Sequence, residues 1–518
     1  MNLFIYILVL FTFHGTLLAD KPCSQKRIPN QSVVCVCDAS YCDDITREPP
    51  EKDSYVAYTT SRSGQRFNKT RGAWSQNGTC AKSKCPISLE LKPRVTYQKV
   101  EGFGGAVTDA AGINWKALPQ AAQDYLINSY FSENGLEYNM LRVPIGGCDF
   151  STHAYAYNEL PVNDAKLTNY TLAPEDFMYK IPMIKEIMKT AKTDVHIVAT
   201  TWSPPTWMKN PQVYGGFNRL LPRYYQTYAD YYLKFIQKYN ETGIPIWGIT
   251  TTNEPINGDL NLVPFNSLGW DARDMAKWII NNLGPTIRNS EFKDIKIITG
   301  DDQRLIIPYW YNVMLLPFPK VLEYIDGIGV HFYTDKFVPP TILEPITRFH
   351  PDKFILATEA CEGSFPWQAE KVLLGSWQRA KSYIKDILED LNYNLIGWID
   401  WNLCLDMQGG PNWVENFVDS PIIVDKEKQQ FYKQPTFYAM GHFSKFIPRG
   451  SVRIKVVENK PFLTSYLTNV AFITPKNTTV VVIYNDGRNE TIELKRGNKK
   501  TSLFLEGHSI TTVELPNE

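Results

Sequence analysis

The chain has 518 residues, of which 43% are hydrophobic and 13% aromatic, so it can build a large apolar core. Its length fits about three average domains, or one large α/β barrel with a smaller companion domain. The 54 basic residues balance the 54 acidic ones, and a chain without excess positive charge lacks the electrostatic footprint of nucleic-acid binding, so we expect no nucleic-acid partner.

Residues 1–19 have the pattern of a signal peptide. An apolar run from Leu3 to Phe13 is too short to span a bilayer and is followed by small residues near Ala19. Because no Lys or Arg precedes that run, a buried N-terminal strand or helix is the alternative. No later stretch reaches the roughly 20 apolar residues of a membrane helix. We therefore expect a chain of the secretory pathway without a transmembrane segment.

Cysteine spacing favours disulfide bonds in residues 20–49, a short Cys-rich β region. The four cysteines there lack the Cys-x-x-Cys pairs and the following His of a zinc site. They are Cys23, Cys35, Cys37 and Cys42. Cys80 and Cys85 flank a short loop and form a further candidate pair. The cysteines left over as thiols are Cys148, Cys361 and Cys404.

Asn-x-Ser/Thr sequons recur along the chain and support the same compartment. A single sequon is common by chance, but their number together with the signal-peptide pattern indicates a luminal or secreted glycoprotein. The sequon residues are Asn30, Asn68, Asn77, Asn169, Asn240, Asn477 and Asn489.

Eight short apolar strands, separated by segments of helical periodicity, recur between residues 96 and 450. They lie in residues 100–110, 138–147, 195–205, 247–255, 295–304, 325–335, 354–363 and 395–403. Near-continuous apolar strands that alternate with helices are typical of a parallel sheet, and eight of them predict a (β/α)8 TIM barrel. In such a barrel the functional residues gather at the carboxyl ends of the strands.

The segments on either side of the barrel, residues 50–95 and 451–518, alternate apolar and polar residues as β-strands do. The tail contains "TTVVVIYNDGRNETIELKRG", in which "NDG" supplies a hairpin turn. Neither segment is long enough to bury a two-sheet core alone. We therefore predict that the two segments pair into one accessory β-sandwich domain.

Two of the predicted strands end in glutamates. The fourth ends as "WGITTTNEP", with Glu254, and the seventh contains "FILATEACEG", with Glu359. A Glu before Pro at an isolated strand end is often only a solvated turn residue. These two strands, however, lie nearly opposite in an eight-stranded ring, so both carboxylates face one mouth. Two carboxylates that flank a bond are what glycoside hydrolysis needs, one as proton donor and one as stabiliser or nucleophile.

Aromatic residues at the other strand ends offer stacking faces for a sugar ring, although each one alone is more often core filling. They are Trp202, Phe332, Tyr333, Trp398 and Trp401. The sequence contains no phosphate loop, HExxH or Gly-x-Ser-x-Gly motif, and "GFGGA" lacks the spacing of a dinucleotide loop. We therefore expect no cofactor and no metal.

Long motifs carry a resemblance to a known family. They include "GFGGAVTDAA", "YFSENGLEYNMLRVPIGGCDFS", "TWSPPTWMK", "TTNEPINGDL", "ATEACEG" and "GWIDWNLCLDMQGGPNWVENFVDSPIIVD". These segments closely resemble the acid β-glucosidases, the lysosomal glucosylceramidase family, and the resemblance runs from about Cys23 to the C-terminal β segment. Val263 and Ser267 stand where vertebrate members carry a tyrosine and a cysteine, so we expect an invertebrate member.

The resemblance implies a retaining β-glucosidase that removes glucose from glucosylceramide through a covalent glucosyl-enzyme intermediate. Glu254 matches the family's acid/base residue and Glu359 its nucleophile. His331 and Arg142 either orient Glu359 or form buried structural pairings. The residues that match those gripping the glucose hydroxyls are Asp149, Trp202, Asn253, Trp401 and Asn416, and those at the entrance are Gln303 and Tyr333. The matching disulfides are Cys23–Cys35 and Cys37–Cys42.

The same resemblance implies a glycosphingolipid substrate at a membrane surface, leaves room for a saposin-like activator, and favours the lysosome over secretion. Candidates for an apolar rim around the pocket are Leu260, Val263, Phe265 and Trp367, which ordinary packing would explain equally well. Two other functions stay open: a related barrel hydrolase acting on soluble or polymeric β-glycans, and a non-catalytic glycolipid-binding module. A polymer-cleaving enzyme needs a long aromatic cleft, whereas a pure binder needs no positioned acid.

Overall fold

The computed structural model of the protein describes residues 21–76, 85–461 and 466–517. The predicted signal peptide, the sequon residue Asn77 and the cysteine Cys80 lie outside these ranges. Within the ranges, no helix is both long enough and apolar enough to cross a membrane.

Eight parallel strands close into a barrel, in which each strand pairs with the next along the chain and the eighth pairs with the first. In chain order the barrel strands are Gly102–Ala106, Met140–Ile145, His196–Thr201, Gly248–Thr250, Lys296–Gln303, Gly327–His331, Phe354–Glu359 and Gly397–Asn402. Every one lies within a segment that the sequence predicted as a strand, so the TIM-barrel prediction is confirmed. Alternate residues of these strands point inwards, and five of them form an inner cluster: Met140, Val198, Ile298, Leu356 and Ile399.

Helices connect the barrel strands and pack against them. Trp377–Asn392 shows how: the side chain of Ser376 accepts a hydrogen bond from the backbone amide of Arg379, which caps the helix, and buried residues recur every three or four positions. The α-helices are Asp109–Lys116, Gln120–Phe131, Ile181–Thr190, Tyr225–Glu241, Pro255–Leu260, Ala272–Trp278, Gly284–Arg288, Ile307–Trp310, Glu344–Phe349, Trp377–Asn392 and Pro435–Ser444.

A nine-stranded β domain combines the two segments that flank the barrel. Its strands, in sheet order, are Lys499–Leu505, Glu490–Arg496, Ile87–Lys99, Val452–Asn459, Leu467–Ile473, Thr478–Asn485, Ser509–Pro516, Ser54–Ser61 and Asn68–Ala73. Residues of both segments, such as Trp74, Leu89, Val481 and Leu515, bury one shared apolar core. The predicted pairing of the flanks is therefore confirmed.

A five-stranded sheet that the sequence did not predict joins the Cys-rich region to the end of the barrel domain. Its order is Gln25–Arg27, Val33–Cys37, Gln430–Lys433, Ile422–Asp425 and Cys404–Asp406. The last three strands have only three or four residues each, too few for alternation to be recognised in a sequence. Disulfides Cys23–Cys35 and Cys37–Cys42, with Cα separations of 5.1 and 4.4 Å, hold the N-terminal part of this sheet, as predicted.

The other cysteines and the sequons agree with the predicted organisation. Cys148, Cys361 and Cys404 are buried free thiols. All six sequon asparagines within the described ranges are exposed, as glycan attachment requires. The pairing of Cys80 with Cys85 stays a prediction.

Candidate active site

Glu254 and Glu359 meet at the carboxyl ends of the barrel strands. Glu359 is the last residue of the seventh strand. Glu254 follows the fourth strand in a left-handed conformation, with φ +40°, and Pro255 then begins a short helix. One carboxylate oxygen of each glutamate and one ring nitrogen of His331 all lie within 4.8 Å of one another.

Glu359 is buried and is held from two sides. The hydroxyl of Tyr333 donates to its Oε1 at 2.7 Å, and the guanidinium of Arg142 donates to its Oε2. Burial raises the pKa of Glu359, and the positive charges of His331 and Arg142 work against that rise. Glu359 is therefore a buried carboxylate that is held in one orientation and paired with positive charge.

Glu254 is more accessible and has a different set of donors. Its Oε1 accepts from Gln303 Nε2 at 2.6 Å and from His331 Nδ1 at 3.0 Å, and its Oε2 accepts from Asn257 Nδ2 at 2.5 Å. Two of these three donors are neutral amides. The resemblance placed Gln303 at the entrance, but its side chain also donates a hydrogen bond to the carboxylate of Glu254.

His331 lies between the carboxylates and is fully buried. Its Nδ1 is 3.0 Å from Glu254 and 3.9 Å from Glu359, and its Nε2 is 3.1 Å from Asp301. Burial alone would lower the pKa of His331, but these carboxylates raise it to about 10. The ring is therefore an imidazolium at neutral and acidic pH, and it contacts Glu254 more closely than Glu359.

Both glutamates open into one pocket of about 230 Å³. Six of the seven residues predicted to contact the sugar line this pocket: Asp149, Trp202, Asn253, Tyr333, Trp401 and Asn416. The rim candidates Val263 and Phe265 line it as well, whereas Leu260 and Trp367 are exposed. Sequence analysis missed the further lining residues Phe150, Cys361, Ser364, Phe365 and Val418. Their position next to predicted site residues was the signal that could have found them.

The pocket offers aromatic faces on one side and a carboxyl group on another. Trp202 and Trp401 stack on each other with ring centroids 5.2 Å apart. Asp149 Oδ2 accepts from Asn412 Nδ2 at 3.1 Å and from Asn416 Nδ2 at 3.0 Å. Burial raises the pKa of Asp149 to about 7. Such a combination of apolar rings and convergent polar groups suits a single sugar ring.

Two of the aromatic residues expected at the mouth lie elsewhere. Trp398 and Phe332 pack against Tyr383 on the helix Trp377–Asn392, at centroid distances of 5.0 and 5.9 Å. The strand period of two explains the error for Trp398, because Ile399 and Trp401 point inwards and Trp398, one position before Ile399, points outwards. Both residues therefore serve the packing of a helix on the barrel.

Glu254, His331 and Glu359 also form a triplet of metal-ligand types. Arg142 brings positive charge to Glu359, and Tyr333 and Gln303 already donate to the carboxylate oxygens. These contacts oppose a cation and favour proton chemistry at the two carboxylates.

Comparison with known proteins identifies the family of the chain. The profile of the glycosyl hydrolase family 30 TIM-barrel domain matches residues 100–447, and that of the family's β-sandwich domain matches residues 450–513. The chain belongs to glycosyl hydrolase family 30. Enzymes of family 30 are retaining glycosidases, so this family 30 protein is a glycoside hydrolase.

Two relatives of this family 30 chain match it over most of its length. It is 42% identical over 471 residues to the lysosomal acid glucosylceramidase of Mus musculus, an alignment that covers 90% of this chain and 89% of the mouse protein. It is 40% identical over 532 residues to the putative glucosylceramidase 4 of Caenorhabditis elegans, with 99% of each chain covered. The resemblance drawn from the sequence motifs is thereby confirmed.

A solved structure shows the same fold as this family 30 chain. SrfJ from Salmonella typhimurium matches it with a TM-score of 0.81 at 22% identity, covering 90% of this chain and 100% of that one. One carboxylate oxygen of Glu254 and one of Glu359 lie within 4.8 Å of each other, which fits the spacing of retaining glycosidases better than that of inverting ones. Retaining glycosidases hold their carboxyl groups about 5–5.5 Å apart, whereas inverting enzymes hold them about 6.5–9.5 Å apart to admit a water.

Proposed function

We propose that this family 30 enzyme is a β-glucosidase that releases glucose from glucosylceramide. The observation that carries the proposal is the pair of glutamates, Glu254 and Glu359, in one small pocket with carboxylate oxygens within 4.8 Å. The identities of 42% and 40% to two glucosylceramidases over nearly the whole chain support the choice of substrate.

In the first step Glu359 attacks the anomeric carbon of the glucose. The bond from that carbon to the ceramide oxygen breaks, and the carboxylic acid of Glu254 gives its proton to the departing oxygen. Arg142 and Tyr333 support this step because both donate to Glu359 and hold its lone pairs in one orientation. Ceramide then leaves as an alcohol, and glucose stays bound to Glu359 as an ester.

In the second step water replaces Glu359 at the anomeric carbon, and Glu254 takes the proton of that water. Esterification has removed the negative charge of Glu359, so Glu254 is then the carboxyl group of the reacting pair that faces the positive charge of His331, 3.0 Å away. The same residue can therefore act first as an acid and then as a base. Glucose leaves with its β configuration retained.

Asn253 has a specific role in binding the sugar. Arg142 Nη2 donates to Asn253 Oδ1 at 2.8 Å, which turns the amide nitrogen of Asn253 to the opposite side. That nitrogen is then free to donate to the 2-hydroxyl of the glucose, a contact that strengthens in the transition state. We propose that Asp149 and Asn416 bind hydroxyls farther from the reacting carbon, and that Trp202 and Trp401 face the ring.

Exposed apolar side chains beside the pocket fit a substrate that is held in a membrane. Leu260 is 60% exposed, and Phe337 and Trp367 are 64% and 63% exposed. Phe365, which lines the pocket, stacks on Trp367 at 4.7 Å and so connects the pocket to this rim. Exposed apolar groups around a pocket mark an interaction surface. We expect the ceramide chains, the bilayer surface and any saposin-like activator to meet the enzyme at this rim.

We propose the lysosome, reached through the secretory pathway, as the site of action. Two disulfides in the N-terminal sheet and six exposed sequons suit an oxidising, glycosylating route. The lysosomal relative from mouse supports the destination. Fractionation of the cells that make the protein tests this proposal, and recovery of the active enzyme only in the medium contradicts it.

The test of the function compares substrates on the purified enzyme. Wild type and Glu359→Gln are assayed at acidic and neutral pH on glucosylceramide in anionic vesicles, on an aryl β-glucoside and on β-glucan oligomers. We expect wild type to release glucose from the first two, and Glu359→Gln to release none. A clear preference for the oligomers would favour the alternative function, a hydrolase of soluble or polymeric β-glycans. Release of glucose from vesicles, with little from oligomers, supports the proposal.

A further inference from the structure

Asp301 lies at the centre of the hydrogen bonds that hold both glutamates, although it makes no contact with either glutamate's carboxylate. Its side chain is fully buried. Its Oδ1 accepts from His331 Nε2 at 3.1 Å and Thr358 Oγ1 at 2.6 Å, and its Oδ2 accepts from Arg142 Nη2 at 2.9 Å and Thr250 Oγ1 at 2.7 Å. All four acceptor positions of the carboxylate are thus in use.

The two cations that Asp301 binds reach different glutamates. His331 continues to Glu254, 3.0 Å from its Nδ1. Arg142 continues to Glu359, to which its Nη1 donates. In addition, the backbone carbonyl of Asp301 accepts from the backbone amide of Glu254 at 2.9 Å. One residue therefore lies behind both carboxylates.

The backbone around Asp301 departs from regular strand geometry in a way that produces this placement. The pairing of the fifth barrel strand with the sixth shifts between Gly300 and Asp302, and Asp301 has φ +51°. A bulge of this kind re-aims a side chain. Left-handed backbone at a residue other than glycine costs energy and persists where the surroundings require it, typically at functional sites.

The positive charges of Arg142 and His331 also require a carboxylate at the position of Asp301. Arg142 and His331 are two buried cations side by side, and Glu359 can balance only one of them, while Glu254 must carry a proton for the first step. Removing one carboxylate from such a network leaves a buried cation without a partner, which is costly. The pKa of Asp301 is held below its usual range by Arg142 and His331 against the effect of burial, so it stays ionised throughout the reaction.

We propose that Asp301 is a positioning residue that aligns both glutamates at once, Glu359 through Arg142 and Glu254 through His331. This inference rests on the proposed roles of Glu254 and Glu359. A residue that merely stabilises the barrel would not affect the two chemical steps selectively. A residue that supports both glutamates must affect both steps.

The test uses Asp301→Asn, which keeps the side-chain size and removes the charge. Asparagine tolerates left-handed backbone better than most residues, so the bulge is preserved. The enzyme is mixed with 2,4-dinitrophenyl 2-deoxy-2-fluoro-β-glucoside, whose leaving group needs no proton, and labelling of Glu359 is followed by intact mass and peptide digestion. The rate at which the label is lost in buffer reports the second step, in which Glu254 acts as the base. The rate of loss in azide reports the same step without the need for a base.

We expect Asp301→Asn to slow labelling roughly 10- to 100-fold, the range found in metal sites when a residue that orients a metal ligand is removed. Loss of the label in buffer should slow as well, and azide should restore only that second step. The alkaline limb of kcat/KM, which reports loss of the proton from the acid, should move to lower pH, because the variant lacks one negative charge of the network behind that acid.

Asp176→Asn is the matched control. Asp176 is equally buried and ionically paired, with Lys180 Nζ at 2.8 Å and the hydroxyls of Tyr157 and Tyr239 at 2.9 and 2.7 Å, but it makes no contact with the glutamates or their partners. It should lower thermal stability and leave both rates and the pH profile unchanged.

Unchanged labelling and release in Asp301→Asn would overturn the inference. If that variant fails to fold, Thr358→Val, which removes one donor to Asp301 and keeps its charge, should slow labelling several-fold, and no change there would equally overturn it. Failure of wild type to acquire a label on Glu359 would instead contradict the proposed function.

Discussion

Glu254 and Glu359 have the same side chain in different surroundings, and the difference supports the two roles that we propose for them. Glu359 is held by the guanidinium of Arg142 and the hydroxyl of Tyr333, which suits a carboxylate that must be ionised before it attacks. Glu254 accepts mainly from neutral amides, including Gln303, and also contacts the imidazolium of His331 at 3.0 Å. Enzymes that use two carboxyl groups in opposite protonation states arrange their environments in this way.

Replacing each glutamate in turn should separate the roles. Glu359→Gln should lower the chemical step by several orders of magnitude for every substrate, because the nucleophile is lost. Glu254→Ala should spare the first step of dinitrophenyl glucoside, whose leaving group needs no proton, and slow the second, so that a glucosyl-enzyme accumulates. Added azide should then release β-glucosyl azide. Intact mass and product analysis by NMR measure these outcomes. A label on another residue, or an α-configured azide, would show that the roles are assigned wrongly.

Tyr333→Phe should change the pH dependence of the reaction. The hydroxyl of Tyr333 donates to Glu359 at 2.7 Å and favours its ionised form. Without that donor the pKa of Glu359, already raised by burial, should rise further, so the acid limb of kcat/KM should move to higher pH. The loss of rate is then greater at about pH 4 than at about pH 6.5. Rate profiles of wild type and variant on an aryl glucoside measure the shift, and parallel profiles would contradict the explanation.

At the scale of elements, the sequence predicted the strands that recur in a regular pattern. It missed the strands that are defined only by their partners in the folded chain. The eight barrel strands were visible because each is a short apolar run with a polar or aromatic end. The strand Ile422–Asp425 was not, because only its partners in the five-stranded sheet define it.

The same distinction holds at the site. Glu254 and Glu359 could be placed from strand order alone, and family motifs supplied Asn253 and Asp149. Asp301 lies in the fifth predicted strand segment, residues 295–304, but was not predicted as a site residue, because its position depends on a bulge and nothing in the local sequence reveals which of two adjacent aspartates faces the barrel interior. Trp398 was misplaced by one strand position, which is enough to reverse the face.

The N-terminal disulfides should stabilise one local element, the five-stranded sheet. Cys23 and Cys35 close a loop of 12 residues, for which the chain-entropy model gives about 3 kcal/mol. We expect a Cys23→Ser/Cys35→Ser variant to lose roughly 2–3 kcal/mol of unfolding free energy in that sheet. Limited proteolysis and thermal unfolding measure the loss. Equal protease resistance of variant and wild type would contradict this prediction of stability. Non-reducing peptide mapping of wild type separately tests the disulfide pairings, including Cys80 with Cys85.

At the scale of the whole molecule, buried carboxyl groups couple the fold to pH. The oxygens of Asp335, Asp386 and Asp390 lie within 4.8 Å of one another, with Arg304 and Glu389 beside them. Burial is the largest cause that raises the pKa of Asp386 to about 7 and that of Asp335 to about 11, and it raises the pKa of Asp390 well above its usual range. These aspartates therefore keep protons at a pH at which the unfolded chain has released them.

The sign of the effect on stability follows from proton binding. Between about pH 4 and pH 8 the folded chain holds more protons at these aspartates than the unfolded chain does, so stability falls as the pH rises through that range. Burial raises the pKa of Asp302 and of Asp400 to about 8, with the same consequence. His331, with its pKa raised from 6.5 to about 10, adds to the loss above neutrality. These groups therefore make the folded chain more stable at acidic than at alkaline pH.

Asp386→Asn should therefore make the enzyme less sensitive to alkaline pH. The asparagine does not ionise, and its side-chain oxygen can still accept from the indole nitrogen of Trp398, which donates to Asp386 at 2.9 Å. Near pH 4 the aspartate is protonated in the folded chain and still partly protonated in the unfolded chain, so the two proteins should unfold at about the same temperature. Near pH 8 the variant should unfold roughly 2–4 °C higher, because it avoids ionising a buried carboxyl group among its neighbours. Differential scanning fluorimetry across this range measures the effect, with Asp274→Asn, at a carboxylate that is 42% exposed on a helix surface, as the matched control. The prediction is contradicted if all three proteins, wild type, Asp386→Asn and Asp274→Asn, lose the same number of degrees in unfolding temperature between acidic and alkaline pH. The buried carboxyl cluster would then not set the pH response of the fold.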